Sequence, residues 1–268
     1  MARGAFRRDI LGVALVTSSH DPELFSLRAF QGAVHVWLAR TTDRCDPDVL
    51  APDERAASTS FHHGIDARRA IVSRWLLRTS LSRYVPVAPS AWRFERAAGG
   101  RPEIAEPAGT RLRFNLSHTR ELVACALTLD AAIGVDIEPL ARDIDVDELA
   151  PSVCSTEEIE GLNAEDPRPR VRRFLELWTL KEAHLKARGV GLAGSPKEAT
   201  RAPGDWWSSS VEVDGDHVLA LAVERRRAPE HVLFFRQAHL PIGPTHDSAA
   251  RTHTFRPHRD VRSTRIPR

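Results

Sequence analysis

VRRFLELWTLKEAHLKARG, residues 171–189, is the clearest helix in the chain and the stretch on which its architecture turns. At 3.6 residues per turn, Val171, Phe174, Leu175, Trp178 and Leu185 fall on one apolar stripe, and Gly189 supplies the stop. Glu182 lies in the middle of that stripe, with Lys181 at one edge and Lys186 at the other. A carboxylate on a core-facing stripe is unfavourable without a partner, so its position needs a reason. Pairing of Glu182 with Lys186 at i, i+4 explains the pair but not its place on the apolar face. The lysines are themselves rare. The chain holds three, Lys181, Lys186 and Lys197, and every other Lys/Arg position is arginine.

Upstream of this helix, residues 131–162 begin as a strand and continue as loop and short helices, one of them opened by an S-x-x-E capping box at Ser155 and Glu158. Further back, AVHVWLA (33–39) reads as a strand and residues 61–84 as an amphipathic helix ended by Pro86 and Pro89. WRFERAAGGRPEI (92–104) reads as a strand with a Gly-Gly turn, and residues 112–130 as two apolar runs separated by SHTRE. Downstream, residues 217–224 and 231–240 read as a pair of late strands. The order strand, long helix, strands thus occurs twice. It predicts an α+β fold of two halves, 31–130 and 131–240. One continuous α+β domain fits the same pattern. Residues 1–30 read as a poorly ordered extension and 241–268 as a basic, disordered tail.

Bulk composition narrows the partners. Lys+Arg is 38 against Asp+Glu 36 in 268 residues, so net charge gives no reason to expect nucleic acid or a membrane surface. No apolar run approaches the ~18 residues that a membrane-spanning helix needs. Arg7-Arg8 before ILGVALV (10–16) has the outline of a secretory signal, but no clear cleavage site follows. Cys45, Cys125 and Cys154 are scattered and odd in number, which predicts reduced thiols in a cytoplasmic protein.

The chemistry gathers around GVDIE, residues 134–138. On a strand, Ile133, Val135 and Ile137 point one way while Asp136 and Glu138 share the opposite face. From these residues alone, a solvated polar face and a pair of ligands to a hard cation both fit. Adding Glu182 and the two lysines gives three acids with basic neighbours, the makings of a Mg²⁺-assisted diphosphate site. Ser117-His118 and Arg101 each read as surface polarity or as phosphate contacts.

GVDIE followed by WTLKEAHLK is similar to the signature of the 4'-phosphopantetheinyl transferases. FNLSHT, GGRP and FHHGIDARRAIVSRWLLR resemble three further blocks of the longer, monomeric, surfactin-synthetase-activating type, from about residue 33 to 240. The resemblance implies two similar α+β halves in one chain, a pseudo-dimer with coenzyme A in the cleft between them. It implies transfer of the phosphopantetheine arm of coenzyme A to a serine of an apo acyl or peptidyl carrier protein. Asp136, Glu138 and Glu182 would hold Mg²⁺, with Mn²⁺ as a substitute, and Glu182 would accept the serine proton. Lys186 would bind the diphosphate with Lys181 nearby, Arg101 would keep the charge of the lysine that relatives carry in a GKP turn, Arg69 and His118 would contact the 3'-phosphate, and Ser117 would hydrogen-bond to it or to a neighbouring phosphate. One block departs from the pattern: APDERAASTS (51–60) carries only Arg55 where relatives carry lysines for the 3'-phosphate, and Arg68 is the candidate replacement. A carrier-binding module without turnover and a Mg²⁺-dependent coenzyme A diphosphohydrolase are the competing readings.

Overall fold

Runs that are apolar on both faces make strands covered on both sides, and such runs organise this molecule. The computed structural model describes residues 12–17, 27–30, 33–59, 64–97, 100–190, 194–200 and 205–236. Their strands are β1 (Gly12–Thr17), β2 (Ala33–Arg40), β3 (Arg93–Arg96), β4 (Pro102–Glu106), β5 (Leu112–His118), β6 (Leu122–Leu129), β7 (Ile133–Pro139), β8 (Trp206–Val213), β9 (His217–Glu224) and β10 (His231–Arg236). Helices α1 (Pro52–Thr59) and α2 (Gly64–Leu81) follow β2. Helices α3 (Val146–Val153), α4 (Thr156–Asn163) and α5 (Pro167–Arg188) follow β7. The fold is α+β, with a five-stranded sheet in the order β1-β10-β2-β6-β5, a three-stranded sheet β7-β9-β8 and the hairpin β3-β4.

Side-chain alternation divides the central strands between separate cores. On β2 and β6, Trp37, Ala39, Val123, Cys125 and Leu127 pack with Val72, Trp75 and Leu76 of α2. The intervening Val34, Val36, Leu38, Leu122, Ala124 and Ala126 pack with Ile133, Val135 and Ile137 of β7 and with Leu219, Leu221 and Val223 of β9. Ala220 and Ala222 of β9 turn the other way, onto Ala183 and Ala187 of α5. The layers therefore run α2, first sheet, second sheet, α5. Small residues between β9 and α5 let the helix lie close to the sheet. Gly134 takes this furthest: a Cβ there would sit 1.9 Å from the Ala183 carbonyl oxygen and 2.5 Å from the Ala187 nitrogen.

Most predicted elements are present, and the pairings bring the surprises. Residues 12–17, expected in a poorly ordered extension, form β1 and run parallel to β10. The two late strands do not pair with each other. Both edges of β9 are taken by β7 and β8, so β10 leaves the second half and joins β2 of the first sheet in parallel. Trp206–Val213, unassigned in the sequence reading, is the strand β8. Helix α2 ends at Leu81, ahead of Pro86, and α5 begins at Pro167, where a proline at the first helical position is favoured. The capping box forms as read, with the Ser155 side chain accepting from the Glu158 N–H and the Glu158 side chain accepting from the Ser155 N–H. Gly189 closes α5 in the left-handed region at φ 68°. Cys45, Cys125 and Cys154 are free thiols. Among the described residues no helix is long and apolar enough to cross a membrane. The expected tail 241–268 lies outside the described residues.

Candidate active site

The two sheets meet where β5 lies beside β7. Odd-numbered residues of β5 face this seam: Asn115 Oδ1 accepts the Val135 N–H at 2.9 Å, and Ser117 Oγ donates to Asp136 Oδ1 at 2.8 Å. Even-numbered Phe114 and Leu116 face the α2 core instead. Helix α5 covers the same seam from the other side. Its Lys186 ammonium donates to Asp136 Oδ1 at 2.7 Å and to Ser117 Oγ at 2.9 Å. Three elements thus converge on one buried carboxylate, and the missing side chain of Gly134 is what lets α5 approach near enough.

The charge balance around Asp136 is incomplete. Its Oδ2 is buried and has no hydrogen-bond partner among the described residues. Burial first, then the Asp136 charge, pushes the Glu182 carboxyl above the usual carboxylate range, and Lys186 offsets this only in part. Glu138 is raised by the same two causes in the same order, against Arg142 and Lys186. Arg142 binds Glu138 at 2.9 Å and lies over the Trp178 ring at 5.7 Å. Among the described residues no group of three His, Cys, Asp or Glu side chains is arranged to hold a metal ion. Asp136 Oδ1 already carries an ammonium and Glu138 a guanidinium. The orphaned Oδ2 and the raised neighbouring acids nevertheless form the environment that a hard divalent cation relieves, so the donor set suits Mg²⁺.

Basic groups extend the site on both sides. His118 is the last residue of β5. Partial desolvation, then the positive charges of Arg69 and Lys186, hold its imidazole below the ordinary histidine range. Arg69 pairs with Asp66 on α2 at 2.9 Å. Arg101 donates to the Ala187 carbonyl at 3.0 Å and to Glu103 at 2.7 Å, so its fork sits at the C-terminal end of α5.

Two expected contacts lie elsewhere. Lys181 is 1% exposed, and its ammonium binds Glu158 of α4 at 2.8 Å and the Pro196 carbonyl at 3.2 Å. It faces the α4 side because a five-residue step along a helix turns about 140° from Lys186. Arg68 donates to the carbonyls of Thr41 and Asp43, so it braces the turn after β2. In the block that lacks lysines, Glu54 accepts from buried Arg78 at 2.8 Å, and Arg55 pairs with Asp48 at 3.1 Å. Asn115 and Gly134 escaped the sequence reading as site builders, although both lie inside the motifs NLSHT and GVDIE. Their part depends on a neighbour that only the fold supplies.

Known proteins similar to this chain share one family description. Residues 132–237 match the family model of the 4'-phosphopantetheinyl transferase superfamily, and residues 44–129 match that of the 4'-phosphopantetheinyl transferase N-terminal region. The chain is 34% identical over 145 residues to the 4'-phosphopantetheinyl transferase HetI of Nostoc, covering 54% of this chain and 61% of that protein. It is 33% identical over 144 residues to the 4'-phosphopantetheinyl transferase Sfp of Bacillus subtilis, covering 54% and 62%. Identity to a phosphopantetheinyl transferase of Thraustochytrium is 28% over 179 residues, covering 60% and 62%. The chain thus spans about three fifths of the length of the curated relatives it matches. With both halves matched by models of one family, and with the seam built from the motifs that carry the resemblance, the chain belongs to the 4'-phosphopantetheinyl transferase superfamily.

Proposed function

We propose that the protein transfers the 4'-phosphopantetheine arm of coenzyme A to a serine of an apo acyl or peptidyl carrier protein and releases adenosine 3',5'-bisphosphate. The observation that carries this is the Asp136–Ser117–Lys186 cluster, an acid with one orphaned buried oxygen at a seam between two halves. The seam would be the coenzyme A cleft of a pseudo-dimer. One chain builds both of its walls, which supports a monomer.

Each residue then has a task. Arg69 and His118 bind the 3'-phosphate, and Lys186 and Arg101 bind the diphosphate. Ser117 aligns Lys186 with Asp136. Asp136, Glu138 and Glu182 would hold Mg²⁺, which neutralises charge on the diphosphate. Glu182 accepts the proton of the carrier serine directly or through a water. The serine oxygen forms a bond to the phosphorus that bears pantetheine. The bond from that phosphorus to the bridging oxygen breaks, and the electron pair leaves with adenosine 3',5'-bisphosphate. Glu138 binds Arg142 through Oε2, which leaves Oε1 as the oxygen it would offer to such an ion.

Intact-mass measurement of an apo carrier incubated with the protein, coenzyme A and Mg²⁺ tests the proposal. The expected result is a gain of one phosphopantetheine, abolished by a chelator and by Glu182→Gln. Release of adenosine 3',5'-bisphosphate without any carrier present would indicate hydrolysis instead. Carrier binding without a mass gain would indicate a docking module.

A further inference from the structure

The hairpin turn after His118 is held from two sides by side chains that the mechanism does not use. Thr119 Oγ accepts the N–H groups of Glu121 at 3.1 Å and Leu122 at 3.0 Å. A hydroxyl oxygen has two lone pairs and one proton, so both acceptor positions are filled and the proton remains to be donated. His217 Nε2 lies 3.3 Å away, in place to receive it. Its Nδ1 then carries the ring proton and donates to Asp216 Oδ1 at 2.6 Å. Hydrogen-bond accounting thereby assigns the tautomer. The ring is fixed, since His217 is 2% exposed. It lies across the ladder from Pro139, and the Asp216 carbonyl accepts the Leu140 N–H at 2.8 Å. The β8–β9 turn is thus fastened both to the strand that carries Asp136 and to the turn that follows His118.

The opposite side of that turn is braced separately. Thr41 donates its N–H to the Glu121 carbonyl at 2.9 Å and its hydroxyl to the Arg120 carbonyl at 2.9 Å. The Thr41 carbonyl in turn accepts from Arg68. Thr119 follows the strand alternation, pointing with Ser117 toward the second sheet. His118 between them alternates to the other face of the strand, where the charges of Arg69, Lys186 and Asp136 all act on its ring. Fixing Thr119 therefore fixes the direction of His118.

We propose that His217 is a positioning residue for recognition of the nucleotide 3'-phosphate. Through Thr119 it sets the direction of His118, so its loss weakens binding of the 3'-phosphate and leaves the diphosphate end intact. This rests on the assignment of His118 and Arg69 under Proposed function. Titration calorimetry of the full chain with adenosine 3',5'-bisphosphate and with adenosine 5'-monophosphate tests both separately. The wild type should prefer the bisphosphate. His217→Leu should lower affinity for the bisphosphate about tenfold, equivalent to ~1.4 kcal/mol, and that for the monophosphate less than about twofold. His217→Gln, whose amide oxygen can accept from Thr119, should recover most of the preference. Thr119→Val, which removes the hydroxyl from His217 and from the Glu121 and Leu122 N–H groups, should reproduce the loss. In transfer assays, KM for coenzyme A should rise in His217→Leu with kcat held, and KM for 3'-dephospho-coenzyme A should not move. Equal weakening of both nucleotides, or an undiminished preference in His217→Leu and Thr119→Val, would overturn the inference alone. A wild type that binds neither nucleotide would overturn the 3'-phosphate assignment with it.

Discussion

Lys181 and Lys186 stand five residues apart on α5 and meet opposite surroundings. Lys186 is 30% exposed and shares the Asp136 carboxylate with Ser117 at the seam. Lys181 is 1% exposed and is enclosed by Glu158 and the Pro196 carbonyl. An ammonium at an open seam can exchange its carboxylate for an incoming phosphate. A buried one has no such alternative and serves to hold α5 against α4 and residues 194–200. The helix thus uses one residue type for two purposes, and the about 140° turn between the positions separates them.

The sharpest break of that comparison is chemical. Asp136→Asn should reduce transfer about 1,000-fold, ~4 kcal/mol of barrier, with the thermal midpoint little changed, as read by holo-carrier mass and circular dichroism. Lys181→Met should do the reverse. It removes the ammonium that faces Glu158, which keeps its capping-box bond to the Ser155 N–H, and should cost about 1–3 kcal/mol of stability in urea unfolding, while coenzyme A affinity below the transition stays near wild type. Adding Glu158→Gln should restore part of the loss. A large drop in coenzyme A affinity with unchanged stability would instead place Lys181 in the site.

Smaller effects sharpen how α5 is set on the sheet. Gly134→Ala forces a methyl into the Ala183 carbonyl and should destabilise by about 1–3 kcal/mol, with activity falling as Lys186 moves away from Asp136. His184, also on the buried side of α5, is held neutral, its imidazole pushed down to about 4 mainly by burial and then by Arg188 and Lys181. The unfolded chain binds that proton near pH 6.5, so native stability falls as pH drops from there toward about 4. Relative to His184→Phe, the wild type should lose about 1 kcal/mol by pH 6 in denaturant titrations.

Much of the site was legible because its signals are local. The helix 171–189, its Gly189 stop, the Ser155–Glu158 box and the strand through GVDIE each depend on spacing within one turn or one pleat, and all are present. The same spacing placed Asp136 and Glu138 on one face. Lys181 was placed in the site because a helical stripe shows which residues share a face, not what packs against its edges. The signal that could have separated it was Glu158 in the capping box, an acid seeking a partner, but no local rule joins α4 to α5.

The α+β class, the shared strand face of Asp136 and Glu138 and the helix that carries Lys186 follow from periodicity, a property of neighbouring residues, while the motifs carry the resemblance to the family. Tertiary structure alone decided that β10 crosses back to pair between β1 and β2. It alone decided that Gly134 admits α5, that Lys181 turns to α4, and that His217 holds the turn after His118. Those are contacts between residues tens of positions apart, and their choice rests on which faces remain to be buried once each local element has formed.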